Sequence, residues 1–261
     1  MIQEFPGNNY SFLSLLIALS VLSFWSCNQQ TTSESNNEAV LSWDQPIIAD
    51  DWILLFDQEK NPTLDAWTGF NSIDISPKWE IIENLLAVSI EGDDVDKNTG
   101  FGQSIVTKDR YKNFELEVHY RMSKGANSGI MYHVKQGAEY RDDYETGPEY
   151  QLLDNALARS ESLPHRQVAA LYDMFAPTSS PYHPAGEWNI AGIRHQDGLV
   201  EHYLNGEQVL SYDLNSEEFE QKRLESKWFD DADWAKTGEG HISIQDHGDK
   251  VEFRLIRIKT L

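Results

Sequence analysis

Residues 144–155 read YETGPEYQLLDN and crowd Glu145, Glu149, Gln151, Asp154 and Asn155 into twelve positions. Gly147 and Pro148 interrupt the backbone just before a strand-like run from Glu149 to Leu153. A strand alternates its side chains between two faces, so Tyr150 and Leu152 point one way and Glu149 and Gln151 the other. A carboxylate and an amide raised side by side from a rigid sheet suit sugar hydroxyls and proton transfer. A solvated outer face on an edge strand has the same pattern.

The other polar candidates are scattered: Arg121, His165, Tyr172, Asp173, Glu187, Asn189, His202, Asn205, Gln245, Asp246 and His247. Residues 186–189 (GEWN) alternate, which would bury Trp188 and leave Glu187 and Asn189 on the opposite face. His165 falls in a loop near the Glu149 strand, where a histidine suits a proton shuttle as a residue type, and a loop histidine with no task is the alternative. His202 lies between Val200 and Leu204 on the apolar side of its strand, where a hydrogen-bonded core histidine is the leading reading. Turn geometry alone accounts for Asn205, and a polar turn accounts for Gln245-Asp246-His247-Gly248. No zincin, P-loop, Rossmann or nucleophile-elbow pattern is present, and the isolated pair Gly100-Phe101-Gly102 carries no weight.

The elements that must position these groups are strands. Residues 52–56 (WILLF) form an apolar run fit for a buried strand. Residues 79–82 and 85–88 flank Glu83-Asn84, a hairpin turn. Residues 114–122 (FELEVHYRM) alternate cleanly, with Phe114, Leu116, Val118, Tyr120 and Met122 inward. Residues 124–127 then turn the chain into 128–133, which is expected to pair with 114–122. Residues 200–204 and 208–212 surround Asn205-Gly206, a strong hairpin signal. The strands 241–245 and 251–258 close the chain. One helix fits within 215–227, with Phe219, Leu224 and Trp228 on a loose stripe. Residues 156–167 and 175–185 read as long loops of the kind that border sites. Many strands and frequent turns predict an all-β antiparallel sandwich or jelly roll.

The chain has 261 residues, with 43 Asp and Glu against 21 Lys and Arg, a formal net charge of −22. Such a field disfavours nucleic acid, anionic lipid surfaces and highly anionic polymers, and is compatible with neutral sugars and divalent cations. The apolar run 12–25 ends at Ser26-Cys27, which looks like a lipoprotein processing site that would leave Cys27 lipidated. No Lys or Arg precedes that run, and Phe24 and Trp25 are bulky before a cut, so a plain signal peptide or an uncleaved anchor is the alternative. The expected organisation is a signal over 1–27, a tether over 28–43 and one domain over 44–261. Cys27 is the only cysteine, so disulfides and thiolate chemistry are excluded from that domain.

Six stretches in order carry a resemblance: WILLFD (52–57), YETGPEYQLLDN (144–155), ALYD (170–173), PAGEWN (184–189), EHYLNG (201–206) and GHISIQDHG (240–248). Together they resemble the 3-keto-disaccharide hydrolase domain family, from about Trp52 to Leu261. The resemblance implies a concanavalin A-like jelly roll of two antiparallel sheets, often exported on a lipoprotein. It implies action on glycosides oxidised to a ketone at C3, hence an oligosaccharide or small-molecule substrate supplied by a sugar 3-dehydrogenase. The location it suggests is the cell envelope, lipid-anchored, with no other membrane contact.

A C3 ketone acidifies the C2 proton, so a base can form an enolate and the C1 substituent can leave before water adds. On this reading Glu149 is the base, and Glu187 or His165 serves the leaving group. Arg121 or a divalent cation such as calcium would stabilise the enolate. The substrate-binding set is Arg121, Gln151, Asp154, Tyr172, Asn189, His202, Gln245 and His247. The stretch 225–239, rich in acids and aromatics, departs from the family pattern. A non-catalytic carbohydrate-binding sandwich is the alternative function, and a calcium-stabilised surface module a third.

Overall fold

The computed structural model describes residues 51–88, 103–156 and 163–261. The signal-like run, Cys27, the tether, the Gly100–Gly102 pair and part of the 156–167 loop lie outside the described residues. The described residues form two antiparallel sheets. One sheet carries β1 (Ile53–Asp57), β3 (Trp79–Ile82), β4 (Leu85–Val88), β6 (Phe114–Met122), β9 (Trp188–Gln196), β10 (Leu199–Leu204), β11 (Glu207–Asp213) and β13 (Val251–Thr260). Its order is β11-β10-β9-β6-β13-β4-β3, with β1 also pairing β13. The second sheet is ordered β2 (Trp67–Gly69), β5 (Ile105–Thr107), β12 (His241–Ile244), β7 (Asn127–Val134) and β8 (Glu149–Leu153).

The expected alternation of period two builds the core. Leu116, Val118 and Tyr120 of β6, Ile130 and Tyr132 of β7, and Tyr150 and Leu152 of β8 are fully buried in one cluster. Both expected tight turns form, with positive φ at Glu83, Asn84, Asn205 and Gly206. That conformation matches the right-handed twist of the strands it joins. The hairpin expected between 114–122 and 128–133 does not form. Strand β6 pairs β9 and β13, and β7 joins the other sheet between β12 and β8. The two apolar faces meet across the sandwich instead of along an edge, because β6 already has a long partner on each side.

The helix α1 (Glu217–Glu225) is shorter than expected, and the Ser216 hydroxyl caps it by accepting from the Phe219 amide at 3.1 Å. The expected stripe is absent. Leu224 is 57% exposed, and Trp228 packs from the loop beyond the helix end. The Phe219, Trp234 and Trp228 rings stack in series, with centroids 6.0 and 5.0 Å apart. Phe219 also stacks on the core residue Tyr212 at 6.1 Å, which ties the 226–236 loop to the sandwich.

Candidate active site

Strand β8 is the outermost strand of the smaller sheet, and segment 169–172 runs along its free edge. The Ala169 amide donates to the Gln151 carbonyl at 2.9 Å, and the Tyr172 amide donates to the Glu149 carbonyl at 3.0 Å. This satisfies the edge and sets Tyr172 beside Glu149. Tyr150 and Leu152 enter the core, so Glu149 and Gln151 take the outer face as alternation requires. The Glu149 side chain leans across β7 at Gly129. A Cβ at Gly129 would come within 2.5 Å of Glu149 Oε1, so only glycine leaves room for the carboxyl.

Glu149 is 6% exposed, and no hydrogen bond reaches its carboxyl among the described residues. Burial without such a partner disfavours the charged form. Its pKa is pushed up to about 8, chiefly by loss of solvent, with Lys227 pulling it down and Asp143 adding to the rise. Asp143 lies buried nearby and accepts from the Ser243 hydroxyl and from the Tyr144 amide. Its own pKa is also raised, again first by burial.

Lys227 is the cation of this site. Its ammonium sits 4.0 Å from the Trp228 ring centroid, 4.3 Å from Tyr172 and 5.8 Å from Tyr144. More than a third of the residue's surface meets solvent, yet the amine itself is walled by rings. Its pKa is lowered by that shielding, against the opposing pull of Glu149 and Asp173. Three contacts hold it there. The Lys227 amide donates to Asp173 Oδ2 at 3.3 Å, Trp228 Nε1 donates to the Tyr172 carbonyl at 3.3 Å, and Arg223 Nη1 donates to the Trp228 carbonyl at 2.8 Å. Asp173, at a positive φ, also binds Arg166 Nη2 at 2.6 Å and lies 3.6 Å from His165 Nε2. Sequence alone gathers Glu149, Tyr172, Asp173 and His165, and all four meet here.

Gln245 and Gln151 share this outer face, with Gly129 between them: Gln151 is in register with Gly129, and the Gln245 amide donates to the Gly129 carbonyl at 2.9 Å. Gln245 Oε1 is buried without a hydrogen-bond partner among the described residues. Gln151 is buried too, and its Nε2 donates to the carbonyls of Ser128 at 3.2 Å and Leu152 at 3.1 Å. Asp154 closes the far end of β8, where it accepts from the Gly125 amide at 2.8 Å and the Tyr182 hydroxyl at 2.7 Å. Asp246 is buried and caps the turn to Gly248 at 2.9 Å, and His247 is half-buried, 3.8 Å from Asp249.

Four expected site residues lie elsewhere. Arg121 is on the outer face of the larger sheet, with Nη2 2.6 Å from Glu252 and its guanidinium 4.9 Å from the Trp188 ring. The sandwich separates that face from Glu149. The burial expected for residues 188 and 189 is reversed. Arg121 and Arg254 stack over half-buried Trp188, while Asn189 turns inward. There Asn189 Oδ1 accepts from the His183 amide and Asn205 Nδ2, both at 2.8 Å, and its Nδ2 donates to the His183 carbonyl, so its amide pins loops. Glu187 is exposed on the turn before β9. His202 is fully buried, with Nδ1 2.9 Å from the Ala169 carbonyl and Nε2 3.0 Å from the Tyr212 hydroxyl, so it belongs to the core.

Lys227, Gly129 and Asp143 are not among the residues that sequence reading selects. A glycine inside a strand is a signal of close approach, and Gly129 could have been found that way. Lys227 carries only one hint, a lysine set beside Trp228 within an acidic run. Among the described residues, no three His, Cys, Asp or Glu side chains converge as metal ligands. An open groove of about 450 Å³, lined by Arg110, Lys135, Gln136 and Lys236 among others, contains none of the site residues.

The family described as the 3-keto-alpha-glucoside-1,2-lyase-like domain matches residues 51–259. A 3-keto-disaccharide hydrolase of Bacteroides thetaiotaomicron is 33% identical, over 90% of this chain and 88% of that protein. A proposed glycosyl hydrolase of Parabacteroides distasonis, known from a crystal structure, is 32% identical with a TM-score of 0.70, covering 81% of this chain and 94% of the other. A second such structure from that organism, at 23% identity and a TM-score of 0.59 over 80% and 99% of the two chains, shares the fold. With nearly all of its described domain matched, the chain belongs to the 3-keto-alpha-glucoside-1,2-lyase-like family.

Proposed function

We propose that this domain cleaves 3-keto-glycosides, 3-keto-disaccharides among them, by proton abstraction at C2, elimination at C1 and hydration. Glu149 carries this reading: a buried carboxyl with no hydrogen bond among the described residues and a pKa pushed up to about 8, on the face of a sheet that belongs to this family. A general base works best when its pKa lies near the working pH. The Glu149 carboxylate forms an O–H bond to the C2 proton, and the C–H electron pair becomes the C2=C3 bond as the carbonyl pair moves onto O3. The pair then returns from O3, the C2=C3 pair shifts to form C1=C2, the C1–O bond breaks, and the departing oxygen takes its electrons and a proton. His165, held beside Asp173, is the proposed donor of that proton. Water adds at C1 of the resulting unsaturated ketone, so the net change is hydrolysis. Gln245, with its unpartnered buried oxygen, is the proposed hydroxyl acceptor.

Sugar release from a 3-keto-disaccharide by the purified domain, followed by chromatography, tests this. Glu149→Gln should lower turnover by about 10²–10⁴-fold. Unchanged release by that variant removes the role of Glu149, and no release from any 3-keto-glycoside by the native protein removes the activity. We also propose export to the cell envelope with a lipid on Cys27, resting on the apolar run before it. Labelled palmitate incorporation that survives Cys27→Ser would refute the anchor. The substrate implies an enzyme that oxidises glycosides at C3 upstream.

A further inference from the structure

We infer that the Lys227 ammonium receives the negative charge that develops on O3 of the enolate. The inference rests on the proposed C2 proton abstraction and names the group that chemistry lacks. Arg121 cannot reach, because it lies on the outer face of the other sheet and is paired with Glu252. Arg166 is near, but its guanidinium is consumed by Asp173 at 2.6 and 2.8 Å.

Lys227 differs from both. Among the described residues no carboxylate comes within 4 Å of its amine, although the chain carries 43 acids against 21 Lys and Arg. Its amine is instead bounded by the Trp228, Tyr172 and Tyr144 rings. Rings attract a cation without neutralising it, so the ammonium keeps donor capacity for a ligand. The ammonium packs 4.3 Å from the Tyr172 ring, and the Tyr172 amide donates to the Glu149 carbonyl at 3.0 Å, so base and cation flank the same segment. The loop is held by the Asp173, Tyr172 and Arg223 contacts, so the cation is in place before substrate arrives. Donors fixed in advance where charge develops stabilise a transition state most.

Enolisation can be read apart from cleavage with a 1,5-anhydro-3-keto sugar, which has no leaving group at C1. Exchange of its C2 proton in D₂O, followed by proton NMR, reports the base and the charge acceptor alone. Lys227→Met should slow exchange by about 10²–10³-fold with KM changed little, and Lys227→Arg should keep at least about a tenth of the native rate. Exchange by Lys227→Met within about threefold of native overturns the inference, as does Lys227→Arg falling to the level of Lys227→Met. Borohydride trapping of substrate on Lys227 would overturn it too, since an imine would then carry the chemistry. If the native protein neither exchanges nor cleaves any 3-keto sugar, the underlying activity fails and the inference with it. Should Lys227→Met not fold, Lys227→Arg still decides: at least about a tenth of the native exchange rate supports the inference, and a lower rate overturns it.

Discussion

Replacing Glu149 with glutamine should change how the stability of this protein depends on pH, independently of any substrate. The carboxyl moves from an ordinary pKa of 4.5 to about 8 on folding, chiefly through burial. A group whose folded pKa is raised binds more protons in the native state than in the unfolded state. Its contribution is therefore fully present below about pH 4.5 and is lost as pH rises toward 8. Each unit of pH in that window can remove up to about 1.4 kcal/mol, the free energy of one pKa unit. Glutamine has a similar shape and no titration, so the variant should lack this slope. Urea denaturation of both proteins at pH 5, 6.5 and 8 measures it. The stability of Glu149→Gln relative to native should rise by on the order of 1 kcal/mol per pH unit across the series. The range stops at 8 because the Lys227 pKa is also lowered, and that contribution has the opposite sign. Parallel stability curves for the two proteins would show that the Glu149 carboxyl is ionised throughout, and the argument for a near-neutral base would fall.

The remaining expectations follow from contacts. Gly129→Ala places a Cβ 2.5 Å from Glu149 Oε1, so the flexible carboxyl must swing away. Its kcat/KM should fall more than about tenfold while stability changes by about 1 kcal/mol or less, read from kinetics and urea melts. His202→Ala removes a fully buried ring that meets the Ala169 carbonyl and the Tyr212 hydroxyl, and should destabilise the fold by about 2–4 kcal/mol. The pKa of His202 is lowered to about 4 by burial. The His202 contribution to native stability should therefore fall as pH drops from about 6.5 toward 4, so the stability of His202→Ala relative to native should rise over that range in acid denaturation curves. Arg121→Ala and Glu187→Gln should leave kcat/KM within about twofold, because both residues lie away from Glu149. A large loss in either would move the site to the other sheet.

Alternation of apolar and polar residues determined the strands, the hairpin turns at Glu83-Asn84 and Asn205-Gly206, and the outward direction of Glu149 and Gln151. These are local properties: a strand fixes which face a side chain takes, and a turn fixes the backbone it needs. Pairing is not local. The same residues 128–133 could have closed a hairpin on β6, and only the competition of β9 and β13 for its edges sent them to the second sheet. The reversed burial of Trp188 and Asn189 has a similar origin, since two arginines distant in sequence, together with the neighbouring loop at His183, decide which side chain is covered. Lys227 illustrates the point for the site. Its position depends on Asp173, Tyr172 and Arg223, up to 55 residues away, and no spacing rule joins them. Sequence by itself therefore selected the acid, whereas the tertiary structure alone supplied the cation, the glycine gap and the burial that make that acid chemically unusual.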